Sequence, residues 1–332
     1  MKYILKRFWM VIALALIINI PLLIIGTVRT NKSVLLKGYT TNINSIVEID
    51  TDYKEEGSFS SIYVITFDRS TIFQNLVVGS SRTSELSDIN ELTSHITDKE
   101  NYDAGQIQKN SSIMTAIITA YNEAKKKDGK INIDYSFKSL CVSFYYQGSP
   151  FRIGDEIIKI NNVQSINGLD ALVEELKNIK IGSTFTVIRN NEIVDITIDR
   201  TEKLFSCYPF YNIDYNTIYP ALKINETNVG GPSGGLLQTL SIYNRLLDFD
   251  YTKGLKISGT GTMSINGRVG QIGGIKQKVY TAYDDDVDVF LCPEEDYPEA
   301  LKAYNSLKHK ERMALVSVST LSDAIAYLEN AW

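Results

Sequence analysis

The hydrophobic and polar positions of the chain begin with one long apolar run. Residues 8–28 hold twenty-one consecutive residues without a charge, enough for a helix to cross the hydrocarbon core of a bilayer. Lys2, Lys6 and Arg7 precede the run, although further basic residues just beyond it weaken this asymmetry. A cleaved signal peptide is the alternative, but the run is longer than a usual signal core and no Ala-x-Ala site follows it. We predict an uncleaved anchor over residues 1–30, with the remaining chain outside the cytoplasm.

Residues 31–133 alternate between β-rich runs and polar stretches. A helix is predicted from Ser112 to about Lys127, because its apolar positions fall on one face and a glycine follows. Runs rich in branched and aromatic residues predict strands at 34–36, 45–49 and 61–67. This region is therefore β-rich with one helix.

Residues 134–201 have the pattern of a separate module. The apolar stripe of residues 169–178 predicts a helix. Strands are predicted at 140–144, 184–188 and 193–198, the last two joined by a turn at Asn190-Asn191. A small α+β unit follows from this pattern.

Residues 202–332 alternate helical and extended patterns, which is typical of an α/β layer arrangement. Helical spacing follows a glycine-rich stretch at 236–247, and a capping box of Thr320 with Asp323 begins a last helix. Strands are predicted at 255–258, 286–293 and 314–318. The predicted fold class is α/β here and α+β over the whole chain.

Composition and charge exclude several classes of function. The chain has 332 residues, a net charge of −5 and a pI near 5.3, which argues against a nucleic-acid-binding surface. Cys141, Cys207 and Cys292 are odd in number and widely spaced, so neither a zinc site nor a disulfide framework is predicted. The acidic run at 284–286 is read as a solvated turn rather than a metal site, since no second cluster of ligands accompanies it.

The glycine-rich stretch 230–235 places a serine where chemistry is favoured. Glycines flank Ser233 on both sides and let the backbone turn sharply, leaving amide N–H groups uncovered. The predicted helix follows at once, so Ser233 is expected at its N-terminus, where N–H groups and the helix dipole favour a developing oxyanion. A serine hydroxyl still needs a base to act as a nucleophile.

A lysine is the better candidate for that base. The two histidines, His95 and His309, lie in no motif-like setting. Lys276 and Lys278 follow the Gly273-Gly274 turn, and burial can lower a lysine pKa towards neutrality. From spacing alone, an ordinary glycine loop with two surface lysines remains the alternative.

Three motifs together change this picture. They are Gly-Pro-Ser-Gly-Gly at 231–235, Gly-Thr-Gly-Thr-Met at 259–263 and the glycine-rich segment 267–278 that ends in the lysine pair. In order and spacing they resemble the proteolytic domain of Lon, and more closely the membrane-anchored, PDZ-containing Lon-like peptidases of the SepM type. The resemblance is strong over about residues 203–332. The rest of the chain resembles that type only by its arrangement.

The resemblance implies roles for individual residues. Ser233 corresponds to the nucleophile, Lys278 to the base, and Thr260 to the threonine that hydrogen-bonds the lysine. Lys276 is left as a neighbour. The residues expected to form or orient the oxyanion site are Gly231, Pro232, Gly234 and Thr260. Two departures from the family pattern, Gly234 for alanine and Gln271 for proline, are small beside this chemistry.

The module at 134–201 also resembles a known domain. Its Gly-Ser-Pro and Gly-Asp-Glu-Ile-Ile-Lys-Ile-Asn runs, within 148–161, are similar to those of bacterial PDZ domains, which bind an extended peptide between a strand and a helix. The segment 149–154 is shorter than in most relatives, so peptide binding is less firmly implied than the fold. A small α+β spacer is the alternative.

The expected organisation has four parts. These are an anchor at 1–30, a β-rich region at 31–133, a PDZ-like domain at 134–201 and a Lon-like proteolytic domain at 202–332. The SepM resemblance implies that the β-rich region packs against the proteolytic domain.

The expected function is that of a serine endopeptidase at the cell membrane, single-pass, with its catalytic part outside the cytoplasm. No phosphate-binding Gly-x-x-x-x-Gly-Lys-Ser/Thr loop occurs in the sequence, so no ATP is expected. No metal and no other cofactor is expected either. The expected partners are the membrane and peptide or unfolded protein substrates, such as secreted signalling peptides. The ring-forming Lon relatives raise a homo-oligomer as a possibility that no stretch of the sequence decides. One alternative is a catalytically idle scaffold that captures peptides, and another is an enzyme of the signal-peptidase kind with the same dyad.

Overall fold

The computed structural model describes residues 2–89, 94–227 and 229–330. The helices in these ranges are α1 (Lys2–Thr27), α2 (Ile72–Gly79), α3 (Asp98–Lys125), α4 (Leu169–Lys177), α5 (Gly235–Leu246), α6 (Ile275–Asp284), α7 (Tyr297–Tyr304) and α8 (Leu321–Asn330). The strands are β1 (Lys32–Asn42), β2 (Val47–Ile49), β3 (Ser58–Phe67), β4 (Glu85–Asp88), β5 (Tyr135–Tyr145), β6 (Glu156–Ile160), β7 (Val163–Gln164), β8 (Thr184–Arg189), β9 (Glu192–Thr197), β10 (Phe205–Ile213), β11 (Leu222–Ile224), β12 (Lys256–Gly259), β13 (Thr262–Met263), β14 (Val269–Gly270), β15 (Val289–Pro293) and β16 (Ala314–Val318). The chain is a mixed α/β protein, as its sequence pattern predicts.

Helix α1 contains most of the apolar run, the segment Phe8–Thr27, which lies outside the protein core. Its segment Phe8–Thr27 has a mean hydropathy of 2.7 and none of it is buried. Twenty residues at 1.5 Å per residue give a length of about 30 Å, the thickness of a bilayer core. By length and composition the helix suits a membrane span or a signal sequence.

One six-stranded sheet joins distant parts of the sequence, in the order β16-β15-β12-β3-β1-β4. Strand β12 runs parallel to both of its neighbours, with Ile257 opposite Phe59 on one side and Val289 on the other. Strand β1 pairs antiparallel with β3 and β4. The region before residue 89 therefore supplies half of the sheet that the C-terminal strands complete.

Helices cover this sheet on both faces, because its central strands carry apolar side chains on both sides. Phe59, Ile257 and Leu291 pack into one core with α3, α5 and α8. Ile62 and Phe290 point the other way, into a second core with α6 and α7. The helices α5 and α6 consequently approach the sheet from opposite faces.

Helix α3 begins fourteen residues before the predicted start at Ser112. Thr97 caps it in a capping box, since its hydroxyl accepts from the Glu100 amide at 3.2 Å and the Glu100 carboxylate accepts from the Thr97 amide at 3.0 Å. Its first half is polar and lacks the apolar spacing that marks a helix, which is why sequence pattern alone places the start too late. The second half is buried, with Ile117 and Tyr121 fully enclosed.

A second sheet, ordered β10-β5-β6-β8-β9, forms the module in the middle of the chain. An aromatic group of Phe151, Phe185 and Phe205 fills its core together with Leu172 of α4. The buried Asp155 binds the Arg189 guanidinium through two contacts of 2.6 and 2.7 Å. These contacts give the module its own core.

Strand β10 lies beyond residue 201, where sequence analysis ended the module. It pairs antiparallel with β5 from Phe205 opposite Tyr145 to Ile213 opposite Tyr135. The second sheet therefore extends into a segment that the sequence assigned to the C-terminal part. The likeness of this module to a PDZ domain stays a prediction.

The acidic run at 284–286 is exposed and paired with neighbouring side chains. Asp284 binds Lys37, Asp285 accepts from Thr40, and Asp286 binds Arg312. Within the described ranges no group of His, Cys, Asp and Glu side chains could hold a metal ion. All three cysteines are free thiols.

Candidate active site

The loop that carries Ser233 precedes α5 and lies at the carboxyl end of β12, where it is hydrogen-bonded to Gly261. Gly231 has a φ of +96°, a left-handed conformation that favours glycine. The Gly261 amide donates to the Ser233 carbonyl at 2.9 Å, and the Leu236 amide donates to the Gly261 carbonyl at 3.0 Å. Ser233 is half-buried, one residue before the glycine that caps α5. The predicted position at a helix N-terminus is observed.

Lys278 reaches this serine from the opposite face of the sheet. It lies in the first turn of α6 and is only 1% exposed. Its Nζ is 2.8 Å from the Ser233 Oγ and 2.9 Å from the Thr260 Oγ1. Helices α5 and α6 thus meet where β12 ends, since Thr260 directly follows that strand.

Thr260 fixes the direction of these hydrogen bonds. Its hydroxyl donates to the Ser233 carbonyl at 3.0 Å, which uses its single proton. The Thr260 oxygen must therefore accept from a Lys278 N–H. A neutral lysine then keeps its lone pair for the Ser233 hydroxyl, which can donate to it.

Burial also gives Lys278 a proton affinity suited to a base. Desolvation lowers the pKa of Lys278 from 10.5 to about 7, while the carboxylate of Asp296 partly opposes this shift. Asp296 is itself buried and accepts from the Ile272 amide at 2.9 Å. A large fraction of Lys278 is neutral at neutral pH, which is the form that can accept a proton.

The predicted oxyanion residues contribute in different ways. Pro232 has no N–H, and the Gly231 amide already donates to the Gly105 carbonyl at 2.9 Å. These two residues therefore shape the loop and do not donate to an oxyanion. Among the residues described, the amides of Ser233 and Gly234 have no hydrogen-bond partner, so they are the available donors.

The sequence analysis missed the first half of α3 as part of this site. Besides the bond to Gly231, Gly105 faces Gly230 so closely that a Cβ on Gly230 would lie 3.1 Å from the Gly105 Cα. A glycine inside a helix is unfavourable by about 1 kcal/mol, so Gly105 was a signal of close backbone approach. Helix α3 packs against the serine loop at this point.

A small cavity beside Ser233 is lined by apolar and polar side chains and by one cation. Ile62 and Ile113 contribute apolar walls. Lys109 of α3 also lines it, and its Nζ donates to the Thr227 carbonyl at 2.7 Å. Burial lowers the pKa of Lys109, and Glu226 opposes this shift. The cavity lies directly next to the serine.

The other candidate bases lie away from Ser233. Lys276 is half-buried, and its Nζ donates to the Ser84 carbonyl at 3.3 Å. His95 packs against the ring of Tyr145 in the second sheet, and His309 is exposed beside Glu311. The structure brings together Ser233, Lys278 and Thr260 and leaves Lys276 outside.

Comparison with known proteins agrees with this geometry. Residues 221–329 match the Lon protease (S16) C-terminal proteolytic domain. The Lon protease of Campylobacter jejuni is 32% identical over 120 residues, which are 36% of this chain and 14% of that protein. The chain thus aligns with about one seventh of the length of that relative. Ser233, Thr260 and Lys278 all fall within the matched residues, and the chain carries a Lon-type proteolytic domain.

Proposed function

We propose that this protein is a membrane-anchored, ATP-independent serine endopeptidase whose catalytic dyad is Ser233 and Lys278. The observation that carries the proposal is the contact of 2.8 Å between the Ser233 Oγ and a lysine Nζ that is almost completely buried. A buried lysine is costly to maintain, and its pKa of about 7 is what a general base needs. A purely structural loop has no need of this arrangement.

The mechanism follows from the placement of each group. Neutral Lys278 takes the proton of the Ser233 hydroxyl while Oγ attacks the scissile carbonyl carbon. The amides of Ser233 and Gly234 donate to the oxyanion of the tetrahedral intermediate. The Lys278 ammonium then protonates the leaving amine as the C–N bond breaks. A water, deprotonated by the same lysine, attacks the acyl-enzyme and releases the acid and free Ser233.

Thr260 acts as a positioning residue in this scheme, because it holds the Lys278 amine next to Ser233. Thr260→Val keeps the shape and removes the hydroxyl, so hydrolysis is expected to fall about 10- to 100-fold. Thr260→Ser should keep most of the activity. The measurement is kcat/KM for a peptide substrate as a function of pH. In the valine variant the midpoint should also move to lower pH, because the charged lysine has lost an acceptor; an unchanged rate would remove Thr260 from the mechanism.

Activity is expected to depend on pH through Lys278 alone near neutrality. The pKa of about 7 lies below the ordinary lysine value, and the neutral form is the active one. Activity should therefore rise about tenfold per pH unit well below pH 7 and level off above about pH 8. The measurement is kcat/KM from pH 5 to 10, with circular dichroism to show that the protein stays folded. A rate that still climbs above pH 9 would mean that the lysine pKa is not lowered.

Location and substrate class are further parts of the proposal. The exposed apolar segment of α1 supports anchoring in a membrane. The lysines and the arginine just before that segment support an orientation with the catalytic part outside the cytoplasm. The chain has no phosphate-binding loop, so we propose that it hydrolyses without ATP-driven unfolding. Its substrates would then be already extended, such as secreted peptides or flexible protein segments.

The test of this function is covalent labelling. The full-length protein in detergent is treated with a small fluorophosphonate, which reacts with activated serines, and the modified residue is identified by peptide mass. Modification of Ser233 at neutral pH, lost in Lys278→Ala, is the expected result. If Ser233 is not modified, the catalytically idle scaffold becomes the better description.

A further inference from the structure

Besides the small cavity at Ser233, a cleft opens between the first half of α3 and the second sheet. Asn101 and Gln108 of α3 line one wall, Phe144, Ser206 and Tyr208 of the sheet line the other, and the cleft ends at Gly231. Every one of these residues is uncharged. The side chains of Gln108, Ser206 and Tyr208 make no hydrogen bond within the described ranges, so their polar atoms are available to a ligand.

The cleft lies on the face of the second sheet opposite to the core of that sheet. Phe205 and Cys207 of β10 pack into the core around α4. Ser206 and Tyr208 line the cleft on the other face, as alternating strand residues do. The strand–helix groove that sequence analysis predicted for peptide binding belongs to α4, so the cleft is a different surface.

The short distance from this cleft to Ser233 makes it significant. Gly231 lines both the cleft and the small cavity beside Ser233. Two residues of backbone span at most ~7 Å, so the end of the cleft at Gly231 is close to the nucleophile. An extended peptide advances about 3.3 Å per residue, and a substrate held at Ser233 would enter the cleft within two or three residues of the scissile bond.

We propose that the cleft between α3 and β10 binds the extended, uncharged segment of the substrate that flanks the scissile bond. This inference rests on the proposed peptidase function and identifies the surface that recognises the substrate. Peptide amides would bond to the free hydroxyl and amide groups, while an apolar side chain would pack on Phe144. A charged side chain would find no opposite charge among the lining residues, so charged segments bind less well.

The test compares two bulky substitutions on the full-length protein. Ser206→Trp fills the cleft, and Asp170→Trp is its control, because Asp170 is also exposed but lies at the start of α4 and does not line the cleft. Substrates are a peptide with eight uncharged residues on each side of the cleavage site and a variant with two flanking residues changed to glutamate. The rate of fluorophosphonate modification of Ser233 is measured in parallel.

The expected result is a loss of at least tenfold in kcat/KM for Ser206→Trp, mainly through KM, with Asp170→Trp within twofold of the wild type. The wild type should cut the glutamate-containing peptide less well than the uncharged peptide. Ser206→Trp should cut the glutamate-containing peptide no worse than the uncharged one. Equal activity of both variants overturns the inference, as does a loss confined to Asp170→Trp. Modification of Ser233 distinguishes failure of this inference from failure of the peptidase function. If Ser233 of the wild type is modified and Ser206→Trp hydrolyses peptide as well as the wild type, only this inference fails. If Ser233 of the wild type is not modified, the peptidase function fails and the inference fails with it.

Discussion

Ser233→Ala and Lys278→Ala are each expected to lower kcat/KM for peptide hydrolysis by at least ~10³-fold, because nucleophile and base act as one unit. Without the hydroxyl no acyl-enzyme forms, and without the lysine no other group in the described ranges is hydrogen-bonded to Oγ to take its proton. The double variant should be no slower than the worse of the two single variants. The measurement is hydrolysis of an extended peptide by the full-length protein in detergent.

Lys276→Ala is the matched control for this pair. Lys276 lies in the same turn of α6, yet its Nζ contacts the Ser84 carbonyl instead of the serine hydroxyl. Its loss should change kcat/KM by less than about threefold, as expected for a half-exposed surface lysine. Cleavage that survives in folded Ser233→Ala or Lys278→Ala would exclude the dyad mechanism. Equal losses in Lys276→Ala and Lys278→Ala would mean that general electrostatics, and not a specific base, is responsible.

Local sequence was sufficient to single out Ser233 and the pair Lys276 and Lys278 as candidates, whereas Thr260 came from the family resemblance. Glycines around Ser233 and before Lys276 indicate tight turns at helix N-termini, and turns of this kind depend on a few neighbouring residues. The absence of a motif around either histidine left lysine as the base. The choice of Lys278 over Lys276 came from the family resemblance. The structure supplies its physical reason, since one side chain is buried next to Oγ and the other is turned towards β4.

Long-range pairing could not be predicted in the same way. Strand β3 joins β12 across about 200 residues of sequence, and no local pattern shows that Phe59 lies opposite Ile257. The polar first half of α3 carries no apolar periodicity, so its contact with the serine loop through Gly105 was hidden. Strand β10 completes the second sheet through its register with β5, and register is a property of two strands together.

The burial that activates Lys278 should also make the protein less stable than it could be. An unfolded chain holds this lysine charged up to about pH 10.5, whereas the folded protein holds it charged only below about 7. Between these values the unfolded state binds more protons, so folding stability rises with pH, and below pH 7 the full penalty applies. The fall in pKa from 10.5 to about 7 corresponds to an upper limit of roughly 5 kcal/mol.

Lys278→Met is therefore expected to abolish hydrolysis and to raise the free energy of unfolding by about 2–4 kcal/mol at pH 7. Methionine matches the length of the lysine stem, and Thr260 still donates to the Ser233 carbonyl. The gain should shrink as the pH approaches 10, because the unfolded wild type then loses its proton as well. Chemical denaturation of the two proteins at pH 7 and pH 9.5 measures this difference. Lys276→Met should give no comparable gain, and a Lys278→Met protein that is less stable than the wild type at pH 7 would show that the buried amine supports the fold instead of straining it.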